Sequence, residues 1–421
     1  MIQKKLLFSL IIFLVIFISG CIGGNPKILD DRDATPESVN AVVDANNQFA
    51  LDLYSKYKFD DGNIFFSPYS ISAAMVMTYE GARGKTSDEI QSVFHYPKDI
   101  DVRRPAFADI YNEVNKGDKD CRLITSNALW AQNNYSFDIG YFDIIKTYYG
   151  GEVIDQDFKT EPEKSRLTIN DWVAEQTENK IKDLIPEGII NSDTRLVLTN
   201  AIYFKGNWDL QFDEKNTVET DFFENSEKTV KAQMMSLTGA DAKFNYAETD
   251  DLQILELPYV GNDLSMLVLL PKANNISIID NILSTDKLLS LKSDLYTQRV
   301  DVYLPKFKFE TKYLMSKDLI EMGMPTAFSD YANFTGMLEQ NDSNIYEGLK
   351  IREVIHQAFV EVNEEGTEAA AATAVVMDKS VSMRLPRIAT FRADHPFIFL
   401  IQDKTTGTIL FLGRVSNPDQ F

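Results

Sequence analysis

Three histidines, His95, His356 and His395, are all that this 421-residue chain offers for proton transfer near neutral pH. A serine hydrolase needs one of them beside an activated nucleophile and a carboxylate, yet the sequence holds no Gly-x-Ser-x-Gly elbow or other nucleophile motif. Metal sites need His and Cys at ligand spacing, and no two of these residues stand so, the two cysteines being Cys21 and Cys121. No glycine-rich phosphate loop is present. The expectation is therefore a protein with no catalytic residues, no cofactor and no metal. His95, within Val93-Phe94-His95-Tyr96-Pro97, reads as an ordinary helix-end residue.

One segment is at odds with itself. In Glu364-Glu365-Gly366-Thr367-Glu368-Ala369-Ala370-Ala371-Ala372-Thr373-Ala374-Val375-Val376, four consecutive alanines favour helix, whereas Gly366 and the branched Thr373, Val375 and Val376 favour breaking or extending it. Propensity alone ranks a surface helix first. A segment of small side chains able to occupy two environments is the other reading.

Around it, the patterning gives helices first and strands later. Val42, Phe49, Leu53 and Tyr57 share a helix face that ends at the turn Asp60-Asp61-Gly62-Asn63. Ile64-Phe65-Phe66 reads as a short buried strand. Ser67-Pro68 is suited to cap and open a helix through Gly81, and Thr86 to Glu89 predicts a capping box. An amphipathic helix is expected from about Arg166 to Ile181. Strands follow at 195–204, 264–270 and 300–309, and the chain closes on a hairpin, 397–402 with 409–415. No repeat or Pro/Gly-rich linker interrupts the chain after Asn40, which favours one α+β domain over 41–421.

Lys4 and Lys5 precede an apolar run from Leu6 to Ile18, then Ser19, Gly20 and Cys21, the order of an export signal spanning 1–21. Ile18-Ser19-Gly20-Cys21 resembles the lipobox of prokaryotic lipoproteins, which makes Cys21 the candidate lipidation site; an uncleaved anchor helix is the alternative. Either places the remainder outside the cytoplasm, on an extracellular or cell-surface protein. Residues 22–40 read as a flexible tether. The net charge of −21 argues against nucleic acid and anionic membrane surfaces as partners, leaving membrane contact to the anchor alone. Cys121 has no internal partner once Cys21 is set aside, so the exported domain must be stable through its core.

From about Ala41 onward the chain resembles the serpins, a family of serine protease inhibitors. The resemblance is carried by Asn63-Ile64-Phe65-Phe66-Ser67-Pro68-Tyr69-Ser70-Ile71, Gly81-Ala82-Arg83-Gly84-Lys85-Thr86, Asn200-Ala201-Ile202-Tyr203-Phe204-Lys205-Gly206-Asn207-Trp208 and Leu304-Pro305-Lys306-Phe307. The most specific blocks are His356 to Ala374 and Phe391-Arg392-Ala393-Asp394-His395-Pro396-Phe397, with Phe411-Leu412-Gly413-Arg414-Val415.

The resemblance implies three β-sheets, eight or nine helices and an exposed reactive-centre loop at about 364–387. Such a monomer traps a serine protease as a covalent acyl-enzyme while its cleaved loop enters the central sheet as a new strand. The implied hinge is Glu364, Gly366, Thr367, Ala369, Ala371 and Thr373. Ser67, Ser70, Asn200 and His356 correspond to the polar shutter beneath the sheet, and Trp208 to the breach, where insertion begins. After insertion Thr367, Ala369, Ala371, Thr373 and Val375 would share the buried face, since alternate strand residues lie on one side. The usual spacing from Gly366 puts the reactive bond at Ser380-Val381, with cleavage after Lys379 or Arg384 as the alternatives. A non-inhibitory carrier or structural binding protein of the same fold is the rival reading, and such members usually carry bulky, charged or proline residues in the hinge.

Overall fold

The computed structural model describes residues 28–116, 121–133, 136–339, 349–367 and 388–419. Local chemistry places its first elements. Thr35 caps the helix Pro36–Tyr57 by accepting from the Ser38 amide, and Pro36 supplies a pre-set first turn. Ser67 does the same for Pro68–Gly81, accepting from the Ser70 amide, and every residue of that helix is buried. A helix apolar all round belongs in a core, and this one lies directly under the central sheet.

That sheet has six strands, in the order Phe307–Leu314, Ile355–Val362, Gly366–Thr367, Leu196–Asn207, Cys121–Gln132 and Glu152–Gln156. All neighbours are antiparallel except the last pair. Its strands send side chains alternately into two cores, as strand geometry requires. Leu129 joins the large cluster around Pro68–Gly81, and Trp130 a smaller one beneath the helix Pro162–Gln176, with Phe158, Ile169 and Val173.

A second sheet orders Ile64–Phe66, Ile409–Val415, Phe397–Asp403, Leu264–Pro271, Leu252–Pro258 and Lys243–Glu248. The third holds Ala389–Arg392, Thr229–Leu237 and Val218–Phe223. The two are joined by Tyr296–Pro305, which pairs with Lys243–Glu248 at its start and with Thr229–Leu237 at its end. With nine α-helices among the described residues, the fold is the mixed α+β architecture of three sheets that the resemblance implied.

Three expectations change. The strand expected at 300–309 is two strands in different sheets, Tyr296–Pro305 and Phe307–Leu314, because the ladder passes from one sheet to the next around Lys306. The capping box at Thr86 does not form. The helix starts at Gly84, Thr86 Oγ1 accepts from the Asn333 amide at 2.9 Å, and Glu89 accepts from the amide and hydroxyl of Thr326. The tether read at 22–40 is folded from Leu29 onward. Leu29 is 4 % exposed, its amide donates to Asn112 Oδ1 at 2.8 Å, and Asn112 Nδ2 returns a bond to the Leu29 carbonyl. Residues 1–27, including Cys21, lie outside the described residues.

Leu29→Ala is therefore expected to destabilise the protein by about 2 kcal/mol, measured as a lowered urea midpoint, whereas a mere tether would give no shift.

Candidate functional site

Ile355–Val362 ends at a tight turn over Asn363, and the chain doubles back as Gly366–Thr367 between two long strands. Thr367 pairs with Val362 on one side and Gly206 on the other, and Gly366 with Asn207. Among the described residues this short strand alone bridges Ile355–Val362 to Leu196–Asn207. Two glycines meet there for want of room. A Cβ on Gly366 would stand 2.0 Å from the Gly206 carbonyl oxygen, and one on Gly206 would meet the Phe204 and Tyr259 rings below 3 Å. Backbone cannot move aside as a side chain can, so position 366 accepts glycine alone in this pairing.

Thr367 points into the core, 3 % exposed, and its hydroxyl shares a 2.7 Å hydrogen bond with the Tyr259 hydroxyl. Tyr259 stacks on Trp208 at 4.7 Å between ring centroids, and Trp208 grips the turn twice. Its amide donates to the Glu365 carbonyl at 2.8 Å and its indole Nε1 to the Asn363 carbonyl at 3.0 Å. Trp208, which the resemblance assigns to the breach, thus binds the backbone of the turn at Asn363 and Glu365.

Glu364 is fastened from three directions. Lys306 Nζ lies 2.8 Å from Oε2, Thr217 Oγ1 donates to Oε1 at 2.7 Å, and the Phe212 amide donates to the Glu364 carbonyl at 2.9 Å. Burial opposes ionisation of this carboxyl, but the bonds from Lys306 and Thr217 outweigh it and hold the group below the usual carboxylate range. Lys306 belongs to a block that carried the resemblance, but its partnership with Glu364 was not legible there. Tyr259 and Thr217 gave no sequence signal at all, because their role exists only once distant strands meet.

Lower in the sheet, three of the four shutter residues converge. His356 is 2 % exposed, and its Nε2 accepts from the Ser67 amide at 3.0 Å. Ser67 Oγ donates to the Leu410 carbonyl at 2.6 Å while accepting from the Ser70 amide. The Ser70 hydroxyl is buried without a partner among the described residues. Asn200 stands opposite Asn127 in the strand register. Its side chain is not among the described atoms. Ala369, Ala371, Thr373, Ser380 and Val381, with the alternatives Lys379 and Arg384, lie outside the described residues. The other two histidines are structural, His95 paired with Asp52 at a helix end and His395 with Asp394 and the Pro271 carbonyl.

Burial pushes the His356 imidazole down to about 3, against roughly 6.5 in an unfolded chain. Between those values the unfolded state holds a proton that the native state refuses, so native stability falls as pH drops below about 6.5 and is unaffected above it. The contribution is on the order of 1.4 kcal/mol per pH unit. His356→Gln, which keeps an acceptor for the Ser67 amide and cannot titrate, is expected to flatten this acid slope in urea unfolding; equal slopes would refute the assignment.

Against known proteins, the family model described as Serpin (serine protease inhibitor) matches residues 44–418. An uncharacterized serpin-like protein of Methanosarcina acetivorans is 41% identical over 432 residues, covering 99% of both chains. Human Serpin B4 is 39% identical over 402 residues, covering 90% of this chain and 100% of the relative. Among solved structures, uncleaved ovalbumin superposes with a TM-score of 0.80 at 31% identity, over 90% of this chain and 100% of ovalbumin. With a family model matched along most of its length and relatives aligned nearly end to end, the chain belongs to the serpin family.

Proposed function

We propose that this protein is a suicide inhibitor of extracellular serine proteases, anchored by lipid at Cys21. The observation that carries the reading is the pairing of Gly366 and Thr367 between Ile355–Val362 and Leu196–Asn207. It gives a following strand both its direction and its partners. Continued by six residues, the two registers would set Thr373 between Asn200 and His356, bringing a hydroxyl to the polar shutter. Eight residues on, Val375 would fall beside Leu198. There Leu198, Thr78 and Ile355 line two adjoining cavities of about 50 and 30 Å³. In an inserted strand the inward orientation of Thr367 would carry Ala369, Ala371, Thr373 and Val375 to the same face, where small or branched side chains fit without overpacking.

In the proposed reaction the protease serine attacks the carbonyl of Ser380. The C–N bond to Val381 breaks, the serine proton passes to the new Val381 amine, whose chain stays in the fold through its strands at 389–415, and the Ser380 ester remains. Insertion of the freed loop then competes with hydrolysis of that ester. About a dozen ladder hydrogen bonds at ~0.5 to 1.5 kcal/mol each make insertion favourable by on the order of 10 kcal/mol. That is comparable with the whole stability of a domain, so the uncut protein would be held above its lowest state by a barrier.

Thr367→Arg tests this. A guanidinium beside Tyr259 would be buried without a counter-charge, at a cost of several kcal/mol, which would unpair Gly366 and Thr367 in the uncut chain and leave the following strand no ladder to extend. With trypsin, chymotrypsin, elastase and subtilisin on denaturing gels, the wild-type chain is expected to form a denaturant-resistant complex. The mass of its released peptide would fix the reactive bond. The variant should be cleaved as fast and form no complex. A complex undiminished in the variant would contradict the reading, and clean cleavage of the wild type by all four proteases would move the function toward a non-inhibitory serpin.

A further inference from the structure

We infer that Asn363 is a positioning residue that holds the hinge in a preformed hairpin, so that loop insertion starts from an already paired strand and in a single register. Its Oδ1 accepts from the Glu365 amide at 3.0 Å and the Gly366 amide at 3.2 Å. Its own amide donates to the Gly366 carbonyl at 2.9 Å. One side chain thus satisfies the two donors that a reversal of direction leaves unpaired, as asparagine does in tight turns. The turn is closed further by Trp208, whose indole donates to the Asn363 carbonyl.

Two consequences follow from hairpin physics. The first paired residues of a new strand are the most expensive, since backbone freedom is lost before the ladder returns hydrogen bonds. Here Gly366 and Thr367 are paired in the uncut chain, so each further residue only extends an existing ladder. The second consequence concerns register. A hairpin's loop fixes which residues pair, and a slip of one residue turns every side chain to the other face. Slipped by one, the loop would drive Glu368 rather than Thr367 or Ala369 into the core beside Tyr259. The Asn363 turn, with Gly366 admitted by the missing Cβ, excludes that slip.

The inference rests on the inhibitory reading for its functional meaning, but its structural claim is measurable without any protease. Hydrogen exchange on the full chain should find the amides of Glu365 and Gly366 protected in the wild type. In Asn363→Ala they should exchange at least tenfold faster, with no comparable change in the core strands or the melting temperature. Asn363→Asp, which keeps an acceptor at the same place, should restore protection. Equal protection in the wild type and Asn363→Ala, or loss in Asn363→Asp as complete as in alanine, would overturn the role. In protease titrations the alanine variant should consume roughly tenfold more inhibitor per trapped protease, equivalent to about 1.4 kcal/mol on the insertion barrier. An unchanged ratio would overturn the claim that the turn starts insertion. A wild type that traps no protease would instead count against the proposed function, leaving the exchange result to judge the hairpin.

Discussion

Two residues, Gly366 and Thr367, lie between strands several times their length, and the closeness of that fit constrains everything around them. Because a Cβ at 366 would collide with the Gly206 and Asn207 backbone, this pairing accepts only glycine there. Thr367 then faces inward, and a strand continuing from it would have its parity set. The surroundings serve this fit. Trp208 and Tyr259 form a stacked platform, Lys306 and Thr217 fasten Glu364, and Asn363 turns the chain. None is a catalytic group; their common task is to hold a backbone at the mouth of a sheet.

The polar groups below obey a different rule. Buried donors and acceptors need partners, and His356, Ser67 and the Leu410 carbonyl provide them for one another across three elements distant in sequence. The Ser70 hydroxyl and the Thr78 hydroxyl beside the cavities are buried with no partner among the described residues. In the proposed insertion the strands would part here, and incomplete satisfaction would suit that, since fully bonded networks rigidify. A neutral His356 suits it too, because burial at that depth disfavours the charged imidazole.

Much of this was legible in the sequence where local chemistry decides. Ser67-Pro68 announced a capped helix and received one, and the terminal hairpin lies where alternation placed it. Where long-range contacts decide, local rules misled. Thr86 has the spacing of a capping box but bonds to Asn333, and Leu29 sits in a polar stretch but is buried by Asn112 and its helix. At the hinge, propensity favoured helix from Glu364 onward, yet Gly366 and Thr367 are strand because two waiting edges offer them a ladder. The family motifs identified Glu364, Gly366, Thr367, Trp208 and His356. They could not disclose Tyr259 or Thr217, whose relevance is created by the fold.

A sheet that accepts the start of a strand invites the question of whether it accepts the rest. The direct measurement is thermal unfolding of the full chain before and after its loop is nicked by a zinc metalloprotease, which forms no acyl-enzyme and leaves insertion free to proceed. Insertion worth on the order of 10 kcal/mol predicts that the unfolding temperature rises by roughly 10 °C or more after the nick. An unchanged or lowered unfolding temperature would show that the loop stays out of the sheet and would contradict the account at its centre.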